Sequence, residues 1–155
     1  MFVERVPVAA PTDPAPDDAD AKAREVVGRM IAKDAFSQWL GVEVLEVADH
    51  QAVIRMTVRP EMLNGFGFAH GGIVFAFADS AHAFCSNSSG EISVAVDCNI
   101  SYPAPIRLGD VLTAAAVERT ATNRLAFSEI TVSNQDDVVV ALFRGTVYRT
   151  RKPLP

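Results

Sequence analysis

The chain has 155 residues, of which 49% are hydrophobic and 21% are charged, and its formal net charge is -5. This length fits one domain around one hydrophobic core, and the composition is that of a folded globular chain rather than a disordered one. The acidic balance argues against nonspecific binding to nucleic acid, because neutralising phosphates takes an excess of lysine and arginine.

The N-terminal residues 1–18 predict a flexible arm ahead of a single domain that spans residues 19–155. Proline, alanine and aspartate dominate residues 9–20, a composition typical of unpacked chain. The arm lacks the cationic start and unbroken apolar run of a signal peptide. Cys85 and Cys98 do not form a CxxC motif, so we expect reduced thiols and a cytoplasmic protein.

Two helical segments are predicted next. Between residues 20 and 33 apolar side chains recur on one face, which predicts an amphipathic helix. The apolar positions of this face are Val26, Val27, Met30 and Ile31. Residues 34–41 predict a short helical turn that ends at Gly41.

Alternation of apolar and polar residues predicts six strands. The first two form a hairpin within residues 42–58, around a turn at 48–51. Four more strands follow the central helix and are separated by turns rich in glycine, asparagine and aspartate. These four lie at residues 92–103, 111–120, 124–134 and 138–150.

Between the two groups of strands, residues 71–86 predict one long helix, GGIVFAFADSAHAFCS, that is apolar or small nearly all round. A helix without a polar face must be buried on most sides. It is no membrane span, because Asp79 and His82 interrupt an apolar run that falls far short of the ~20 residues a bilayer requires. The simplest solution is an α+β fold in which an antiparallel sheet of six strands, or five, curves around this helix.

Asp79 is the unusual residue of this helix, because an ionised carboxylate in apolar surroundings needs a partner, a metal or a chemical task. Three residues further on, His82 is the polar side chain within helical reach. Two interpretations stay open at this point: a structural role, as a buried pair with His82 or a cap to a neighbouring strand, or a chemical role as general base or nucleophile.

The helix begins at His70-Gly71-Gly72, where backbone amides lack intrahelical partners and favour negative charge. The glycines permit either a tight turn or the close approach of a substrate carbonyl, whose developing oxyanion the amides would bind. Gly71 and Asp79 lie ~12 Å apart along a helix, whereas reacting atoms lie about 3 Å apart. Catalytic use of both groups therefore requires two copies with antiparallel helices, in a two-fold dimer with two equivalent sites.

The spacing Asn-x5-His-Gly-Gly-x6-Asp, which begins at Asn64, resembles that of the hotdog-fold acyl-CoA thioesterases of the PaaI type, from phenylacetate degradation. The resemblance extends over residues 35–149. It implies a hotdog fold, dimers that usually assemble into tetramers, and hydrolysis of acyl-CoA to a free acid and coenzyme A.

The same resemblance implies a role for each motif residue. The Gly71 amide polarises the thioester carbonyl, the Asn64 side chain lines that site, and His70 holds the loop. Asp79 is the catalytic carboxylate, either as nucleophile towards the thioester or as base for water. Two neighbours are expected to contact the substrate, namely Gly72 and Ser80.

Two positions depart from the pattern of the family. His82 stands where such helices usually carry an apolar aromatic residue; we predict a half-buried packing histidine, with pairing or proton shuttling as the alternative. Ala104 stands where an arginine often precedes the proline, which weakens any transfer of coenzyme A contacts from the family to this chain.

On this resemblance we predict an acyl-CoA thioesterase that needs no metal or organic cofactor. The three histidines have no HExxH-type spacing, which argues against a metal site, and the absence of a GxSxG motif argues against an α/β-hydrolase esterase. The expected partners are acyl-CoA and further copies of the chain in a dimer or homotetramer, with neither nucleic acid nor a membrane. Two other functions stay open: a hydratase or dehydratase of acyl thioesters, and a sensor that binds acyl-CoA without turnover. The residues that favour a medium-chain or aryl acyl group are Phe66, Phe68, Phe75 and Phe77.

Overall fold

Residues 18–155, the part of the chain that the computed structural model describes, form a six-stranded antiparallel sheet and three helices. In chain order the elements are α1 (Asp18–Lys33), α2 (Ala35–Leu40), β1 (Glu43–Ala48), β2 (Gln51–Thr57), a 3-10 turn (Pro60–Met62), α3 (Gly71–Asn87), β3 (Glu91–Ser101), β4 (Val111–Ala121), β5 (Leu125–Ser133) and β6 (Val139–Pro153). The predicted order of helices and strands is confirmed. The predicted arm, residues 1–18, lies outside the described residues except for Asp18, the first residue of α1.

The N-terminal helices pack against the domain through the residues that the sequence assigns to their apolar faces. In α1, Val26 and Val27 are buried, while Met30 and Ile31 pack against the core from its edge. Helix α2 begins with the Asp34 side chain accepting a hydrogen bond from the Ser37 amide at 3.0 Å. It ends as predicted at Gly41, whose φ of 78° is the left-handed conformation that terminates many helices.

The strand order in the sheet is β1-β2-β4-β5-β6-β3, with every neighbouring pair antiparallel. Strand β3 follows α3 directly in the chain but pairs only with the last strand, β6, and so lies at an edge of the sheet. This long-range pairing places β3 beside the C-terminal half of α3.

Helix α3 is the centre of the core and contacts five strands, β2 to β6. Five strands at their usual spacing span about 19 Å, whereas a helix with its side chains is about 10–12 Å wide. The sheet therefore curves around the helix, as the sequence predicts. The buried helix residues include Val74, Phe77, Ala81 and Phe84.

Within residues 18–155, every helix falls short of the length and hydropathy that a membrane crossing requires.

Candidate active site

The loop that leads into α3 is shaped by Asn64. Its side-chain carbonyl accepts hydrogen bonds from the backbone amides of Phe66 at 2.9 Å and Phe68 at 3.2 Å. The backbone amide of Asn64 donates to the Phe68 carbonyl at 2.8 Å. These bonds close a tight loop, and Oδ1 of Asn64 is occupied by two backbone donors. No bond to its Nδ2 is found in the part of the chain described, so that donor is left for another molecule.

At the start of α3, one peptide unit is held at both ends. His70 caps the helix by accepting a hydrogen bond from the Gly72 amide on Nδ1 at 2.9 Å. At the other end of this peptide, the Tyr102 hydroxyl donates to the Gly71 carbonyl at 2.7 Å. The Gly72 amide is thus occupied, whereas within residues 18–155 the Gly71 amide has no acceptor. A free amide at the positive end of a helix is suited to bind an oxyanion.

Asp79 lies two turns into α3 and, contrary to the burial expected from the apolar sequence, its side chain is 47% exposed. It belongs to a stripe of half-exposed residues that recur at helical spacing, with Ala76 before it and Ala83 after it. The sheet, α1 and α2 cover most of the other faces of the helix, whereas this stripe is open within residues 18–155. The burial prediction is wrong for this part of the chain, because an apolar helix face can also be covered by another protein molecule.

His82 is buried more deeply than the half-buried histidine that we predicted, with 1% of its side chain exposed. Its Nδ1 lies 3.9 Å from Oδ1 of Asp79, and its ring lies 5.7 Å from that of Phe143, centre to centre. The imidazole fits because β6 has a glycine beneath it: a Cβ on Gly145 would lie 2.3 Å from Cε1 of His82.

Cys98 completes a cluster with these two residues, because ligand atoms of Asp79, His82 and Cys98 all lie within 4.8 Å of one another. Burial raises the pKa of the Cys98 thiol to about 11, and the charges of Asp79 and Asp97 add to this effect. The thiol is therefore protonated near neutral pH and is neither a nucleophile nor a charged ligand there.

A cavity of about 160 Å³ opens beside this cluster, between α3, β3 and β6. Its walls are partly polar, because Asp79, His82, Ser86 and Ser93 contribute to them. The volume is sufficient for several water molecules, each of which occupies about 30 Å³ in the liquid.

The sequence-predicted residues thus fall into two groups at different heights on α3. Asn64, His70, Gly71 and Gly72 lie at its start, whereas Asp79 lies ~12 Å further along the axis. Ser80, the remaining candidate, faces away from both groups, because its hydroxyl lies 2.8 Å from that of Ser37 at α2. One copy of the chain does not bring the predicted amide and carboxylate together.

Sequence reasoning missed two residues of these groups. Tyr102, which holds the Gly71 carbonyl, follows β3 and is 31 residues away in the chain. Cys98 reaches Asp79 only through the pairing of β3 beside α3. Both contacts depend on tertiary packing, and no local spacing predicts them.

Comparison with known proteins places these features in a family. The family described as "Thioesterase superfamily" matches residues 66–141. The chain is 38% identical over 128 residues to the acyl-coenzyme A thioesterase PaaI of Escherichia coli (strain K12), covering 83% of this chain and 91% of that protein. It is 32% identical over 117 residues to human acyl-coenzyme A thioesterase 13, covering 72% of this chain and 82% of that protein.

Solved structures give the same result. The E. coli PaaI protein superimposes with a TM-score of 0.87 at 36% identity, over 89% of this chain and 100% of that one. A protein of Streptococcus mutans in complex with acetyl CoA superimposes with a TM-score of 0.70 at 27% identity, over 72% of this chain and 90% of that one.

Proposed function

Because the chain belongs to the thioesterase superfamily and is a PaaI-like acyl-CoA thioester hydrolase of the hotdog fold, we propose that it cleaves medium-chain or aryl acyl-CoA at a site shared by two copies. In this site the Gly71 amide of one copy polarises the thioester carbonyl and Asp79 of the other supplies the carboxylate. The observation that carries the proposal is the separation of a free amide and an exposed carboxylate along one helix, too far apart to act within one copy.

Two open surfaces support a dimer that brings these groups together. The half-exposed stripe of α3 that contains Asp79 is left uncovered by residues 18–155 of one copy. Beside it, β3 is an edge strand whose outward valines, Val94 and Val96, are 47% and 58% exposed. Edge strands with apolar side chains favour pairing with another chain. Antiparallel pairing of two β3 strands about a two-fold axis would set the two α3 helices side by side and antiparallel.

The chemistry follows from this arrangement. The thioester oxygen accepts a hydrogen bond from the Gly71 amide, with Nδ2 of Asn64 as a second donor, and these bonds stabilise the negative charge that develops on it. Asp79 acts on the carbonyl carbon directly or through water. The C–S bond then breaks, and coenzyme A leaves as a thiolate that takes up a proton.

The preference for medium-chain or aryl acyl groups is supported by aromatic residues near the carboxylate. Phe75 lies on the half-exposed side of α3, one turn before Asp79, and meets Phe143 edge to face at 5.2 Å between ring centres. Phe77, by contrast, is fully buried in the core and is removed from the candidates. An apolar acyl group that packs on the Phe75 ring would be removed from water, which favours its binding.

We further propose a homotetramer, a cytoplasmic location and catalysis without a metal. The sheet face opposite α3 exposes Phe127 and Leu142, which offer a second interface for pairing dimers. Both cysteines are unpaired, which is typical of a reducing compartment. Light scattering measures the assembly, and dialysis against EDTA is expected to leave turnover unchanged.

The activity is tested by thiol release with DTNB across a panel of short, medium, long and aryl acyl-CoAs. Asp79→Asn is expected to lower kcat by at least ~10², whereas Asp136→Asn, in the exposed turn between β5 and β6, serves as a matched control that retains activity. Unchanged turnover in Asp79→Asn would make the carboxylate structural. Binding without thiol release would identify an acyl-CoA sensor, and water addition to an enoyl-CoA a hydratase.

The sharing of the site is tested by mixing two inactive variants. In a hybrid of Asp79→Asn and Gly71→Ala, one of the two sites combines an intact amide with an intact carboxylate. Co-refolding the two variants is expected to restore roughly a quarter of the wild-type activity, since half of the dimers are hybrids with one good site. A mixture that stays inactive would mean that each copy works alone.

A further inference from the structure

We propose that the water molecule that attacks the thioester binds between Asp79 and His82, and that His82 is the positioning residue that holds it against the carboxylate. This inference rests on the proposed function and deepens it, because it assigns Asp79 the part of a general base rather than that of a nucleophile.

The first support is the distance between the two side chains. Nδ1 of His82 and Oδ1 of Asp79 lie 3.9 Å apart, which is too long for a direct hydrogen bond. Polar groups at such a separation are commonly bridged by water. A water molecule about 2.8 Å from each atom accepts a hydrogen bond from one side and donates to the other.

The second support is the cavity beside this pair. Two of the residues that line it, His82 and Ser93, carry buried polar atoms, Nε2 and Oγ, that have no hydrogen-bond partner in residues 18–155. Buried polar atoms are ordinarily satisfied by protein or by ordered water. A partly polar cavity of about 160 Å³ beside a carboxylate is therefore a place where we expect water to bind.

The third support is that the imidazole has no freedom to leave this position. On one side it lies flat against Gly145, with its ring atoms 2.3–2.6 Å from where a Cβ would stand, and on another it packs against Phe143. Cys98 also neighbours the pair and carries a protonated thiol near neutral pH, because burial and the Asp79 charge raise its pKa. Since a protonated thiol does not take a proton from water, the Asp79 carboxylate is the group proposed to act as base on the bridging water.

The step that follows is balanced in protons. Asp79 takes one proton from the bound water while the water oxygen forms a bond to the thioester carbon. The tetrahedral intermediate collapses with cleavage of the C–S bond, and the proton on Asp79 passes to the departing thiolate. The carboxylate is then free for the next water molecule.

A matched pair of variants tests the part of His82. Asparagine and leucine have the same number of side-chain heavy atoms and a similar branched shape, and both lack the ring, but the amide of asparagine retains a donor near the position of Nδ1. We expect His82→Leu to lower kcat at least ~10-fold with KM unchanged, and His82→Asn to recover most of that loss. Equal kcat values for the two variants would overturn the proposal, because any loss of packing is common to both.

Isotope labelling tests the water itself. In a single turnover in ¹⁸O-water with enzyme in excess, we expect the label in the product acid and none in the Asp79 carboxylate. Label in Asp79, or an acyl adduct on it after acid quenching, would show a nucleophilic route and overturn the inference. Such a result would leave the proposed hydrolase intact, whereas a wild-type protein that releases no thiol from any acyl-CoA would remove the proposed function as well.

Discussion

Replacing Gly145 by alanine adds one methyl group where the structure has no space for it. The new Cβ would lie 2.3 Å from Cε1 of His82 and 2.6 Å from each ring nitrogen, whereas side-chain carbons do not approach heavy atoms within 3.0 Å. Neither partner is free to move. Gly145 is paired on both sides, with Cys98 in β3 and Ser128 in β5, and His82 is fully buried.

The expected loss of stability follows from this clash. Overpacking a core typically costs about 1–3 kcal/mol, while a glycine removed from a strand returns roughly 0.5–1 kcal/mol through the unfolded chain. A net loss of about 1–2 kcal/mol corresponds to a fall in Tm of roughly 2–8 °C for a chain of this size. Urea unfolding followed by circular dichroism, at one fixed protein concentration, measures the loss.

Two controls make the result specific to the contact with His82. Gly28, on the exposed side of α1, has no atom within 4 Å of an added Cβ, so Gly28→Ala should stabilise the helix by about 1 kcal/mol. In a His82→Ala background, Gly145→Ala should lose most of its cost, with a coupling energy of about 1–2 kcal/mol. A Gly145→Ala protein as stable as wild type, or a coupling below about 0.5 kcal/mol, would refute the reasoning.

Three further changes test other parts of the structure. Gly71→Ala should lower kcat/KM about 10-fold or more with little change in Tm. The added Cβ would lie 3.3 Å from the Tyr102 hydroxyl oxygen and would crowd the substrate side of the helix start. A variant with a lower Tm and unchanged kcat/KM would instead favour a purely structural role for Gly71 in the turn. Asn87→Ala removes both side-chain bonds to the Ser93 backbone, at 2.8 and 3.2 Å, and should cost about 1–3 kcal/mol in urea unfolding; an unchanged midpoint contradicts this. Burial raises the pKa of the Cys85 thiol from 9.0 to about 12. As the pH rises above 9, the thiol loses its proton in the unfolded state before it does so in the folded state. The free energy of unfolding therefore falls, by about 2 kcal/mol at pH 10.5. Cys85→Ala should remove that part of the alkaline decline, and equal slopes for variant and wild type would disprove the assignment.

The local structure was predictable because each segment has one dominant period. Alternation across residues 42–58 predicts the β1–β2 hairpin, and its two-residue turn is observed at Asp49 and His50. The end of α2 at Gly41 follows from the need for a left-handed residue. The start of α3 at Gly71 follows from the glycines and the capping histidine before them.

The arrangement of these elements was not predictable in the same way. Nothing in the sequence of β3 indicates that it pairs with β6, the last strand of the chain, and Cys98 and Tyr102 reach the site through that packing. The depth of His82 depends on Gly145, 63 residues later in the chain. The exposure of Asp79 was misjudged because hydrophobicity predicts that a surface is covered without indicating which chain covers it.

The position of β3 has a further consequence for how the protein behaves under dilution and mutation. The strand contributes a wall of the cavity on one side and an unpaired edge on the other. If copies associate along this edge, specific activity will rise with protein concentration until the dissociation constant is passed. A substitution at Val96, which does not line the cavity, would then resemble a catalytic defect in a screen at low expression and would be rescued simply by making more protein.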